Sequence, residues 1–151
     1  MNARCGTILL VEDNADDVDL TLIAFERAGL SAQVVVARDG VEALDYLFGM
    51  GAHAGRDVRE QPRVVLLDLN LPRVSGHEVL QRMRADPRTR EVPVVVLTSS
   101  LEERDLRESY RHFANSYVRK PVNFDEFIEV TKQLGVYWTT LNRAMAQGEV
   151  V

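Results

Sequence analysis

Five short runs of β-branched and aliphatic residues recur along the chain, and each is followed by a segment of helical apolar spacing. Thr7-Ile8-Leu9-Leu10-Val11 is the first run, and its unbroken apolar character suits a strand buried on both faces. Val18, Leu22 and Phe25 then recur at helical spacing, with Gly29 as a stop signal. Residues 33–37 read as a second strand, and Val41, Leu44 and Leu47 mark a second helix ending near Gly49. A third strand over residues 63–68 precedes a helix carrying Gly76, Leu80 and Met83. Residues 94–97 form a fourth strand, Leu106, Tyr110 and Phe113 indicate a fourth helix, residues 116–119 a short fifth strand, and Phe124 opens a fifth helix. Such alternation requires right-handed crossovers and a parallel sheet covered on both faces. The expected fold is α/β, a doubly wound five-stranded parallel sheet of order 2-1-3-4-5. Sheets of this kind bind ligands at the carboxyl ends of their strands, beside the switch point between the first and third.

Residues 49–62 fit no element. They contain three glycines and little periodicity, and read as a loop inserted before the third strand. At 151 residues the chain has room for one ordinary domain. A net charge of -5 argues against a nucleic-acid surface, which needs clustered Lys and Arg. The apolar run at residues 92–97 is far too short to span a bilayer, and no signal peptide is visible. Cys5 is the only cysteine, so no disulfide forms within one chain and a cytoplasmic location is expected. Cys5 itself reads as inert.

Chemistry gathers at the strand ends. The first strand ends in Glu12-Asp13 and the third in Asp68, so adjacent strands bring three carboxylates to one sheet edge. Two such charges about 4 Å apart repel by roughly 4 kcal/mol at an effective dielectric near 20. Protonation or a bound cation must relieve that, and hard oxygen donors favour Mg²⁺. The fourth strand adds the hydroxyls of Thr98-Ser99-Ser100, and the fifth adds the Lys120 ammonium before Pro121. Acids, a hydroxyl and a lysine around one cation suit phosphoryl transfer to a carboxylate. Taken singly, each group reads equally well as a solvated strand end. His53, His77 and His112 show no ligand spacing, which makes zinc an unsuitable reading.

The runs ILLVEDN, VVLLDLNLP, VPVVVLTSS and YVRKP resemble, in order, the signature segments of the CheY-like response-regulator receiver domains, over residues 7–134. That resemblance implies a flavodoxin-like, CheY-like fold and a role as a two-component phosphoacceptor. It assigns Asp68 as phosphoacceptor, and Glu12, Asp13, Asp68 and the backbone carbonyl of Asn70 as the Mg²⁺ site, where Mn²⁺ or Ca²⁺ could substitute. Thr98 becomes the switch hydroxyl, Lys120 the phosphoryl-binding ammonium and Tyr117 the aromatic switch. The side chains of Asn70 and Ser100 would tune phosphoryl lifetime. The Lys120–Pro121 bond is expected to be cis, as in the family, at a cost of about 0.5–1 kcal/mol. Pro72 and Gly76 match the loop after the acceptor, and equally match ordinary turn chemistry. A histidine kinase is the implied partner, and no enzymatic activity is expected beyond self-phosphorylation and self-dephosphorylation.

Beyond the fifth helix the chain continues. Phe127, Thr131, Leu134, Trp138, Leu141 and Met145 form a stripe at spacings of four and three, a helix–helix packing seam. The expected division is a receiver over residues 1–134 and an extension over residues 135–151. Tyr137, Trp138 and Leu141 are then candidates for a homodimer contact, unless Gly135 lets the tail fold back on its own domain. With the loop at residues 49–62, this tail resembles the phytochrome-associated receivers, which implies a phytochrome kinase as partner. Two other functions fit the residues less well. An aspartyl-phosphate hydrolase wants a second acid two residues after the nucleophile, where Asn70 stands. A flavin-binding module wants a phosphate cradle after the first strand, where Glu12-Asp13 repel phosphate.

Overall fold

A computed structural model describes residues 6–144. Strands β1 (Thr7–Val11), β2 (Gln33–Ala37), β3 (Val64–Leu67), β4 (Val94–Thr98) and β5 (Ser116–Arg119) alternate with helices α1 (Ala15–Arg27), α2 (Gly40–Phe48), α3 (Gly76–Ala85), α4 (Glu103–Arg111) and α5 (Phe124–Val136). The strands form one parallel sheet in the order β2-β1-β3-β4-β5, as expected. Alternate residues feed two cores. Leu9, Val11, Val65, Leu67, Val94 and Val96 pack with Leu44, Leu47, Leu80 and Met83 on one face. Ile8, Leu10, Val64, Leu66 and Val95 pack with Val18 and Phe25 on the other. Burying each large aliphatic side chain contributes about 1.5–3 kcal/mol.

Local signals set the helix starts. Asn14, Asp39, Ser75 and Asn123 each accept a hydrogen bond from the backbone N–H three residues on, capping α1, α2, α3 and α5; such caps contribute about 1 kcal/mol each. The glycine opening α3 has a steric reason. A Cβ on Gly76 would collide with the backbone carbonyl of Asp68, so α3 can begin hard against the end of β3 only because no side chain intervenes.

Several expectations change. The stripe that marks α4 faces outward: Leu106, Tyr110 and Phe113 are exposed, and the residue α4 buries is Ser109. Leu22 of α1 is also exposed, while Val18 and Phe25 enter the core. Every described peptide bond is trans, Lys120–Pro121 included, against the cis expectation. Trans is the lower-energy isomer by default, and the Lys120 backbone N–H donates to the Thr98 carbonyl at 2.7 Å.

The tail seam shifts by one residue. After Val136 a π-helical turn (Tyr137–Leu141) closes with Asn142 N–H donating to the Tyr137 carbonyl at 2.7 Å. The fully buried stripe is Phe127, Thr131, Gly135 and Thr139, already displaced from Leu134 to Gly135 within α5. A Cβ on Gly135 would lie 2.7 Å from both Phe25 and Leu30, so α5 rests closely on α1. Trp138 packs half-buried against the core of its own chain, whereas Tyr137 and Leu141 stay exposed. The expected boundary between residues 134 and 135 thus falls inside α5. Met145 and Cys5 lie outside the described residues.

The segment at residues 49–62 is organised by Arg56. Its guanidinium lies 4.0 Å from the Tyr46 ring centroid and donates to the carbonyls of Tyr46 and Glu60, both at 2.7 Å. Arg84 does similar work at the far edge of the sheet. It donates to the carbonyls of Arg90, Val92 and, twice, Phe113, and to Oδ1 of Asn115, at 2.8–3.1 Å. Phe113 sits at φ 66°, a left-handed conformation unusual for an aromatic residue, with its carbonyl held by those two bonds.

Candidate functional site

The sheet ladder continues past the strand ends. Asp68 N–H donates to the Val11 carbonyl at 3.1 Å and Glu12 N–H to the Ala37 carbonyl at 2.9 Å, which sets Glu12 and Asp68 level at the carboxyl edge. Ligand oxygens of Glu12, Asp13 and Asp68 lie within 4.8 Å of one another. Glu12 and Asp68 are buried and Asp13 is exposed, so the cluster opens to solvent on one side. Asn70 donates its backbone N–H to Oδ1 of Asp68 at 3.2 Å while its side chain is exposed.

Lys120 closes the cluster from β5. Its Nζ lies 2.7 Å from Oε1 of Glu12, 2.7 Å from Oδ2 of Asp17 and 2.9 Å from Oδ2 of Asp68. Burial alone would lower the Lys120 pKa. The hydrogen bonds to Asp17 and Glu12 and the charge of Asp68 outweigh that and hold it above the ordinary lysine value. Glu12 is pushed up to about 7, first by burial and then by the Asp68 charge, against the pull of Lys120. Four carboxylates (Glu12, Asp13, Asp17, Asp68) face one ammonium (Lys120), a formal balance of one minus four, or -3. The donors nearest the opening are all carboxylate oxygens, with no sulfur or imidazole among them. That set fits a hard divalent cation.

Thr98 is fully buried at the end of β4, its hydroxyl accepting from the Ser100 N–H at 3.3 Å. From Ser100 a chain of contacts leaves the site. Its hydroxyl donates to Oδ2 of Asp105 at 2.6 Å, and Nε2 of His77 lies 3.0 Å from Oδ1 of the same carboxylate. The Ser100 hydroxyl, then His77, hold Asp105 below the usual carboxylate range. Thus α3, α4 and the β4–α4 loop are joined through one side chain. Tyr117 stands half-buried on β5, its buried hydroxyl near Ser100 but in no well-formed hydrogen bond, and its pKa is raised by burial against the pull of Ser100. An aromatic ring that satisfies no polar partner is free to turn at little cost in hydrogen bonds.

Glu12, Asp13, Asp68 and Lys120 are therefore in one cluster, with Thr98 and Tyr117 on the neighbouring strands. Tyr137, Trp138 and Leu141 belong to the α5 end and take no part in it. Sequence reasoning missed Asp17 and the pair His77–Asp105. Asp17 looks like an ordinary first-turn acid, and only its position four residues after Asp13, one turn of helix, could have drawn attention to it.

The family described as response regulator receiver domain matches residues 8–132. Response regulator Rcp1 of Synechocystis is 33% identical over 131 residues, covering 87% of both chains. Its Mn²⁺-bound crystal structure superposes with a TM-score of 0.87 at 31% identity, over 93% of this chain and 99% of that one. The phosphorylated cyanobacterial phytochrome response regulator RcpA gives a TM-score of 0.87 at 35% identity, with the same coverage. The bacteriophytochrome response regulator AtBRR is 51% identical with a TM-score of 0.72, over 91% of this chain and 98% of that one.

Proposed function

Because this chain belongs to the response regulator receiver family, with phytochrome response regulators among its relatives, we propose that Asp68 is the residue that takes the phosphoryl group from a histidine kinase. The observation that carries this assignment is the position of Asp68: a buried carboxylate between acids that suit a cation and a lysine 2.9 Å away. The Asp68 carboxylate attacks phosphorus, the phosphorus–nitrogen bond to the kinase histidine breaks, and the imidazole leaves with the bonding pair. Lys120 neutralises one phosphoryl oxygen as charge redistributes, and the backbone N–H of Asn70 keeps Oδ1 of Asp68 oriented. Glu12, Asp13 and Asp68, with the Asn70 carbonyl, would hold Mg²⁺, which supplies the remaining charge neutralisation. Thr98 and Tyr117 would then transmit occupancy to the β4–α4 loop, Thr98 toward the phosphoryl and Tyr117 into the space behind it. The kinase partner would be a phytochrome, acting in the cytoplasm. Nucleic acid has no place in this reading.

The test is transfer itself. Incubation with a phosphorylated histidine kinase or acetyl phosphate in Mg²⁺ should add one phosphoryl group by intact mass, and excess chelator should abolish the addition. Full incorporation in chelator would rule out the carboxylate cluster as a cation site.

The α5 end supports a second element of the proposal, a homodimer. Tyr137 and Leu141 are exposed, 46% and 67%, on a turn that ends the described helix. Trp138, packed on its own core, is a poor probe of such a contact, since its removal destabilises the fold. Tyr137→Ser with Leu141→Ser should instead shift sedimentation from dimer to monomer with the melting temperature little changed. A double variant that sediments like the parent would remove these residues from the contact.

A further inference from the structure

Lys120 has three N–H donors and no acceptor, and each faces a carboxylate oxygen, at 2.7, 2.7 and 2.9 Å. With no cation in the cluster, all three donors are engaged, and Asp17 is the one partner outside the Glu12–Asp13–Asp68 cation site. We propose that Asp17 is a positioning residue for the phosphoryl site: it occupies one donor of Lys120 and yields it to the incoming phosphoryl oxygen, so its carboxylate sets how tightly that oxygen is held. The inference rests on the receiver reading of Asp68 and Lys120.

The three partners differ in what release costs them. Side-chain exposure is 4% for Glu12, 7% for Asp68 and 23% for Asp17. An ionised carboxylate freed inside the protein keeps its desolvation penalty without its counter-charge, whereas one that water reaches is resolvated. Asp17 also sits in the first turn of α1, where the helix terminus favours a negative charge without help from Lys120. Glu12 and Asp68 extend from backbone held in the sheet ladder. Asp17 is the partner that leaves most cheaply. The lysine backbone need not move, because its N–H stays on the Thr98 carbonyl and only the side-chain partner changes.

The experiment uses the whole chain with Mg²⁺ and fluoroberyllate, a phosphoryl mimic, followed by fluorine NMR of the bound species. Asp17→Asn should lower the half-saturating fluoroberyllate concentration by about threefold or more, the scale of a partly exposed ion pair. Asp17→Glu, which keeps the charge on a side chain one methylene longer, should bind nearly as the parent does. Asp16→Asn removes the same charge from an exposed neighbour with no Lys120 contact and should change nothing. Mg²⁺ affinity measured without fluoroberyllate should shift by less than the fluoroberyllate affinity in Asp17→Asn. Unchanged or weaker fluoroberyllate binding by Asp17→Asn overturns the proposal. Equal gains in Asp16→Asn overturn it by showing bulk charge alone, and collapse of Mg²⁺ affinity overturns it by making Asp17 a metal ligand. A parent chain that fails to bind fluoroberyllate refutes the receiver reading, and the Asp17 inference with it.

Discussion

Asp68→Asn should abolish phosphoryl incorporation while leaving the protein folded. The amide is nearly the same size, and its one oxygen can keep either the Lys120 Nζ bond or the Asn70 N–H bond, which now fall on different oxygens of the carboxylate. What disappears is the anionic nucleophile, and an amide oxygen does not replace it. Incorporation measured by intact mass should fall by about two orders of magnitude or more, the usual cost of losing a covalent nucleophile. Stability should hold or rise. The Asp68 charge helps push Glu12 up to about 7, so removing it relieves a buried repulsion. Parent-level incorporation in Asp68→Asn would place the acceptor elsewhere, and a collapsed fold would mean that the carboxylate is structural.

Lys120→Met should be the most destabilising single change in the cluster. It strips the counter-charge from Glu12, Asp17 and Asp68 at once. Breaking a buried ion pair from one side costs about 3–5 kcal/mol, and the partial exposure of Asp17 places this case toward the lower figure. Urea titration without metal should show that loss. Added Mg²⁺ should restore more stability to the variant than to the parent, since a cation binding only the folded form stabilises it by mass action. Equal Mg²⁺ gains in both proteins would break the argument. Glu12 gives the pH sign for the metal-free protein. Its pKa is raised from 4.5 in the folded state to about 7, so folding takes up a proton between those values. The contribution is complete below 4.5 and is lost as pH rises through 7, and the variant should regain stability on acidification from 8 to 6.

The sheet was legible because strands buried on both faces must be apolar throughout, as residues 7–11 and 64–67 are. The site was legible for a related reason: a polar residue directly after such a run stands at a strand end, as Glu12 and Asp68 do, while Lys120 follows the mixed strand Ser116–Arg119. Helix faces were harder. Apolar spacing at Leu106, Tyr110 and Phe113 marked a fourth helix, but α4 turns Ser109 inward, its hydroxyl donating to the Asp105 carbonyl at 2.8 Å. Periodicity locates a helix without saying which side the sheet covers. The π turn was invisible for another reason. Its wider turn buries Thr139 beside a half-buried Trp138, and no residue type announces a π turn. Asp17, His77 and Asp105 escaped because their partners are distant in sequence, Lys120 being 103 residues from Asp17 and Asp105 28 from His77.

The Arg84 staple has a mechanical meaning. Its bonds fix the Phe113 carbonyl, and with it the trailing end of α4, to the C-terminal end of α3 and the start of β4. The leading end of α4 is tied to α3 and the β4–α4 loop through the Ser100–Asp105–His77 contacts. A change at Ser100 therefore meets α4 first at its leading turn, through Asp105, while the far end stays tied to α3 by Arg84.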